Sequence, residues 1–287
     1  MLNSAYRKTV IEELNRVNQK YNDIFEKAVK DMSLLQDVRL SVVDFLKEIN
    51  VYISSIANCP NSFEIKMGEI SDSIQKFENT IEKLESESKS VDKRGGTVVG
   101  AGLFAATGIA AFGPTAVMAV AMTFGTASTG TAIATLSGAA ATNAALAWLG
   151  GGAIVAGGAG VAGGQAFLAL AGPIGWFVGG AALLGGGVYV NYKNKSIAKK
   201  AKDSIRIIRD EIKRIAKIDE EVNQLCKVTG VTKGEAEDTY AHLKDSKVKN
   251  YNHFNFKQKR YLMKVINLSE TLCKQIEIVI DGGKTDE

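Results

Sequence analysis

From Gly95 to Tyr192 the chain has no Asp, Glu, Lys, Arg or His, a run of 98 residues in a protein of 287. All 35 Lys/Arg and all 31 Asp/Glu therefore lie in Met1–Arg94 or Lys193–Glu287. A soluble globular enzyme needs charge on its loops and exposed faces, so an uncharged stretch of this length argues against that class. The chain has two histidines, His242 and His253, too few for a histidine-rich metal site. Its three cysteines, Cys59, Cys226 and Cys273, are far apart and form no CxxC pair. This excludes a zinc knuckle or a disulfide framework, and an odd count fits a reducing compartment. Only three prolines occur, two of them (Pro114 and Pro173) in the uncharged block. No Walker A, nucleophile elbow or metal-ligand cluster appears, and the glycine runs do not follow a strand as phosphate loops require. No catalytic residue, metal or cofactor is expected. No apolar h-region lies in Met1–Lys20, which carries Arg7, Lys8, Glu12, Glu13, Arg16 and Lys20, so synthesis in the cytoplasm is the expectation.

The uncharged block holds 24 of the 29 glycines. The mean hydropathy of zero is thus the average of two charged arms and one apolar middle. The sequence divides into Met1–Arg94, Gly95–Tyr192 and Lys193–Glu287.

The first arm reads as a long helical hairpin. Val10, Leu14, Val17, Tyr21, Ile24, Ala28, Met32, Leu35, Val38, Val42, Phe45, Ile49, Ile53 and Ile56 step by three and four, a stripe close to a heptad. Ser4 is the expected N-cap, and the helix is expected to stop before Asn58-Cys59-Pro60, because proline disfavours helical geometry at the residue before it. A second stripe, Met67, Ile70, Ile74, Phe77, Ile81 and Leu84, predicts an antiparallel partner with Ser62 as N-cap. In the last arm Ile197, Ala201, Ile205, Ile208, Ile212, Ile215, Ile218, Val222 and Leu225 form another stripe, expected to end near Gly230. Thr232–Glu235 has capping-box spacing and predicts a separate short helix to about Leu243. Asn255 is the expected cap of a last helix carrying Leu262, Val265, Leu272 and Ile276. The fold class is all-α: an elongated bundle of long amphipathic helices around a central Gly/Ala-rich hairpin segment.

The middle splits at its own breakers into Thr97–Phe112, Pro114–Phe124, Thr131–Leu149, Ala153–Ala171 and Pro173–Val190. A helix crossing a ~30 Å hydrocarbon core needs about 20 apolar residues, so the block is expected to supply up to four crossings in two hairpins. Gly96/Gly100, Gly160/Gly164 and Gly175/Gly179 have the GxxxG spacing that lets helix backbones approach. Thr131, Thr135, Gly138 and Thr142 fall on one side of a continuous helix. Such a stripe suits an interhelical seam or a lumen wall, the alternative being hydroxyls bonded to carbonyls one turn earlier. Asn143 and Gln165 are the long polar side chains of mid-segment and are expected to need a partner inside a bundle. Trp148, Trp176, Tyr189 and Tyr192 sit near segment ends, as interfacial aromatics do. Lys93 and Arg94 on one flank, and Lys193 and Lys195 on the other, put cations against anionic headgroups.

Two long amphipathic helices, an uncharged glycine-rich hairpin region and further amphipathic helices resemble the α-helical pore-forming proteins of the ClyA and haemolysin-BL type. The Gly/Ala-rich core is also similar to apolipoprotein L, and Ser128–Gly152 is similar to a block found in bacterial membrane-associated proteins. The resemblance implies a bundle that shelters an apolar tongue, inserts it into a bilayer and oligomerises. A toxin or a cell-death or defence effector follows from it, moving from a soluble form to the inner or a target-cell membrane. The expected partners are the lipid bilayer, further copies of the chain and a protein held by the arms, with no nucleic acid. The alternatives are a constitutive multi-span membrane protein whose coiled-coil arms recruit partners, and a soluble helical module with a buried apolar core.

Overall fold

A computed structural model describes residues 2–92, 118, 121–122, 125–152, 160–171, 190–244, 246 and 248–280. Among the described residues the chain is all-α, with no strand. Six helices follow in order: α1 Leu2–Ser54, α2 Asn61–Asp92, α3 Gly138–Leu149, α4 Gly160–Ala171, α5 Val190–Lys244 and α6 Phe256–Glu277, with 3₁₀ turns at Ile133–Thr135 and Tyr251–His253. The chain divides into two compact units. Unit 1 comprises Met1–Met32, Glu87–Glu221 and Ile280–Glu287, and unit 2 comprises Ser33–Ser86 and Val222–Val279. These units cut across the three segments of the charge map.

Unit 2 is a four-helix packing built by the heptad stripes. Val42, Leu46, Ile49 and Ile53 of α1 meet Met67, Ile70 and Ile74 of α2, Ala236, Tyr240 and Leu243 of α5, and Leu262, Val265, Ile266 and Ile276 of α6 in one buried cluster. The two links between helices are tied together. The Ala57 amide donates to the Lys249 carbonyl at 2.8 Å, and the Tyr251 amide to the Ala57 carbonyl at 2.9 Å. Asn58 turns the first link with φ +57°. That left-handed geometry is one that asparagine tolerates better than most residues. Asn255 caps α6 through a reciprocal box, its side chain accepting from the Gln258 amide and its own amide donating to Gln258, each at 2.9 Å. Arg39 is buried and donates to the Ile278 carbonyl at the C-terminus of α6.

Three expected boundaries fail. Ser4 lies inside α1 and Ser62 inside α2, so neither caps its helix. The break at Gly230 does not occur: α5 runs without interruption from Val190 to Lys244. Its buried face continues through Val222, Thr229, Ala236 and Leu243, all fully buried and seven residues apart. Burial along that face outweighs the roughly 1 kcal/mol that each of Gly230 and Gly234 costs a helix interior. Thr232 makes no capping box. Its hydroxyl donates to the Val228 carbonyl one turn earlier, at 2.9 Å.

Unit 1 packs Val10, Ala198, Ala201 and Ile205 together, with Leu14 and Val17 against them. The Arg209–Glu13 pair, at 2.7 Å, and the pair of Lys27 with Asp219 join α1 to α5. Burial holds the Asp219 carboxyl above its usual range.

Candidate functional site

The uncharged block contributes a short hairpin, α3 and α4, joined through Gly150-Gly151-Gly152. The helices run antiparallel, since Gly164 lies against Leu146 and Gly160 against Gly150. Their backbones touch. A Cβ on Gly164 would sit 1.9 Å from the Leu146 carbonyl oxygen, and one on Gly150 2.2 Å from the Gly160 carbonyl oxygen. No side chain fits at either position, and both contacts are backbone against backbone.

The hairpin meets the charged arm at Arg214. Arg214 of α5 is nearly buried, with 10% of its side chain exposed. Its Nη1 donates to the Trp148 carbonyl and its Nη2 to the Leu149 carbonyl, both at 2.7 Å. These are last-turn carbonyls of α3, which lie among those a helix C-terminus leaves without intrahelical donors. A cation there also opposes the negative end of the helix dipole. The guanidinium carbon stands 5.6 Å from the centre of the Trp148 ring, within range for a cation–π contact. Arg214 Nε and Nη2 also contact Glu211 Oε2, at 3.0 and 2.8 Å. The buried Tyr21 of α1 feels both charges, and burial pushes its phenol well above the ordinary value, with Glu211 adding to the shift.

Trp148 itself is buried. Gly125 approaches it so closely that a Cβ there would lie 3.1 Å from Trp148 Cγ. Its indole Nε1 is buried and finds no hydrogen-bond partner among the described residues. Such a group costs about 1–3 kcal/mol.

Other expected site residues are placed differently. The continuous helix Thr131–Leu149 does not form: α3 starts at Gly138, whose φ is +57°, after an extended Leu136-Ser137. The Thr stripe on one helix is therefore corrected. Thr131 and Thr135 precede the helix, and Thr142 lies on it. Thr135 donates to the Ala132 carbonyl at 2.8 Å and Thr142 to the Gly138 carbonyl at 3.2 Å, the local bonding weighed as the alternative. Both are exposed, as are Thr131, Asn143 and Gln165. Of the expected Ala153–Ala171, the described part is the helix Gly160–Ala171, and residues 153–159 lie outside the described residues; α3, like this helix, has 12 residues. Among the described residues no helix is long and apolar enough to cross a membrane. Tyr192, Lys193 and Lys195 belong to α5. Gly96, Gly100, Gly175, Gly179, Trp176, Tyr189, Lys93 and Arg94 lie outside the described residues.

Arg214 and Glu211 were not singled out by sequence, and Tyr21 was read there only as a position on the first heptad stripe. Gly150 opens a triple-glycine run, a readable turn signal. Nothing local marks Arg214, whose carbonyl partners are 66 and 65 residues away. Comparison with protein-family models, with curated proteins and with solved structures returns no match.

Proposed function

We propose that this is a membrane-active helical protein that releases its uncharged segment from the charged arms into a bilayer, where copies assemble and permeabilise it. The reading assigns the chain no catalytic step. The observation that carries it is the Arg214 contact: an uncharged, Gly/Ala-rich hairpin meets a charged helix through a guanidinium bound to two backbone carbonyls. That bond is polar and reversible, and it adds to the burial of Leu146, Trp148 and Leu149 at the end of α3. The unsatisfied indole N–H of Trp148 weighs against the docked state. At a membrane interface the same group reaches water or headgroups.

Each 12-residue helix is about 18 Å long, short of a ~30 Å core. Insertion therefore requires growth. In the inserted form α3 extends back through Ser137 to Thr131, giving 19 residues. Thr131, Thr135, Thr142 and Asn143 then share a helix on which hydroxyls can line a seam or lumen. Gly160 and Gly164 keep their close backbone contacts, and Trp148 and Tyr192 sit toward the interfaces. The arms remain outside the hydrocarbon, with the cations at Lys193 and Lys195 beside it.

The test is purification without detergent followed by addition to dye-loaded liposomes. The expected result is a soluble, monodisperse protein that releases dye and forms oligomers on the vesicles. Extraction only by detergent would instead favour the constitutive multi-span protein. Solubility without leakage at any pH or lipid composition would sink both.

A further inference from the structure

Unit 1 carries a second feature, independent of the hairpin. Residues of α1 and α5 line an open groove of about 770 Å³. Its floor is apolar, from Val17, Ile205 and Ile212. Its rim holds five cations and two carboxylates. The carboxylates are already matched: Glu13 pairs with Arg209 at 2.7 Å and Asp210 with Lys213 at 3.4 Å. Lys202 lies over the Tyr6 ring at 5.4 Å, with the Glu13 carboxylate favouring its charge, and the five cations of the rim still outnumber its two carboxylates. Lys20, Lys202 and Arg206 are exposed.

An apolar floor under a rim with more cations than carboxylates is complementary to a molecule with an anionic head and a hydrocarbon tail. Nucleic acid fits less well, because none of the lining residues is aromatic, and single strands are held by stacking bases on such rings. We propose that the groove seats one anionic phospholipid, its head group drawn by the rim's excess of cations, Lys202 and Arg206 among them, and part of an acyl chain along Val17, Ile205 and Ile212. The groove lies in the N-terminal half of α5, the helix that begins at Val190 as the uncharged block ends. Lipid capture here rests on the membrane-active reading for its purpose but not for its chemistry.

The experiment titrates the full chain with lysophosphatidylglycerol below its critical micelle concentration, read by calorimetry. Lysophosphatidylcholine and inorganic pyrophosphate serve as comparison ligands. Saturable binding of the anionic lysolipid is expected, at least tenfold tighter than of the zwitterionic one. The Lys202→Gln/Arg206→Gln double variant should weaken it at least tenfold. The floor variant Val17→Asn should weaken it several-fold while leaving pyrophosphate binding unchanged. A charge-matched control, Lys76→Gln/Lys257→Gln in unit 2, should bind as the parent does. Three results overturn the proposal: no saturable binding, an equal loss in the control, or pyrophosphate binding as tightly as the lysolipid with Val17→Asn silent. The last marks a bare phosphate site. Dye release by a parent protein that shows no saturable lysolipid binding overturns this proposal and leaves the membrane reading standing. Groove binding without any dye release does the reverse.

Discussion

Arg214 donates a 2.7 Å hydrogen bond to the carbonyl of Trp148 while its guanidinium lies 5.6 Å from the centre of that residue's own ring. One side chain thus caps the C-terminus of α3 and covers the aromatic residue that ends it. Both contacts come from one side chain of the arm, which ties the end of the hairpin to α5.

Replacing Arg214 by Gln removes the two charge-assisted bonds and leaves Glu211 without its partner. The expected cost is about 2–3 kcal/mol. In a Trp176→Phe background, where emission reports Trp148 alone, the spectrum should shift to the red and the first denaturant transition should fall. An unchanged spectrum with an unchanged midpoint would show that Arg214 does not hold the hairpin.

The glycines should separate into opposite signs. Gly164→Ala and Gly150→Ala force a Cβ into backbone at 1.9 and 2.2 Å, where no side chain can give way. Each should destabilise the hairpin by about 1–3 kcal/mol. Gly68 and Gly230 lie inside helices with nothing within 4 Å of a new Cβ. Alanine there should stabilise by about 0.5–1 kcal/mol. Urea unfolding of the four single variants checks both signs at once.

Gly138 begins α3 with φ +57° and open space around it. Alanine would fit, but it disfavours that backbone by about 1–2 kcal/mol while favouring a helix through the position. The variant should gain helical circular dichroism on vesicles and release dye faster than the parent. Slower release would argue against growth of α3 toward Thr131.

Alkaline pH should weaken unit 2. Burial pushes both the Cys273 thiol and the Tyr240 phenol up to about 12, against ordinary values of 9.0 and 10.0. In the unfolded chain these groups ionise at the ordinary values. Their stabilisation is therefore complete below pH 9 and is lost as the pH rises toward 12, by on the order of 2 kcal/mol at pH 11. Urea midpoints at pH 8 and 11 measure the loss. Native-state alkylation at pH 8 should label Cys273 far more slowly than the unfolded chain, since burial holds the thiol protonated and out of reach. Equal labelling rates would contradict the burial argument.

The arms were readable because heptad burial is a local pattern. Leu35, Val42, Ile49, Ile70, Ile205 and Leu262, all on the sequence stripes, are buried. The ends of α5 were misread because glycine and a Thr-x-x-Glu spacing are local signals, whereas the seven-residue burial row Val222–Thr229–Ala236–Leu243 is set by neighbouring helices. In the middle, Gly150-Gly151-Gly152 was legible as a turn. The break at Ser137-Gly138 was not, because a lone glycine is weak punctuation in a glycine-rich run. The Arg214 contact was invisible for a different reason: a guanidinium that finds two carbonyls 66 and 65 residues away leaves no periodic trace.

The most direct measurement is dye release from anionic liposomes by detergent-free parent protein and by Arg214→Gln side by side. If the contact restrains the uncharged segment, the parent releases dye and the variant does so faster, with a larger fraction bound to vesicles. No release by either protein, or slower release by a folded variant, would contradict the account.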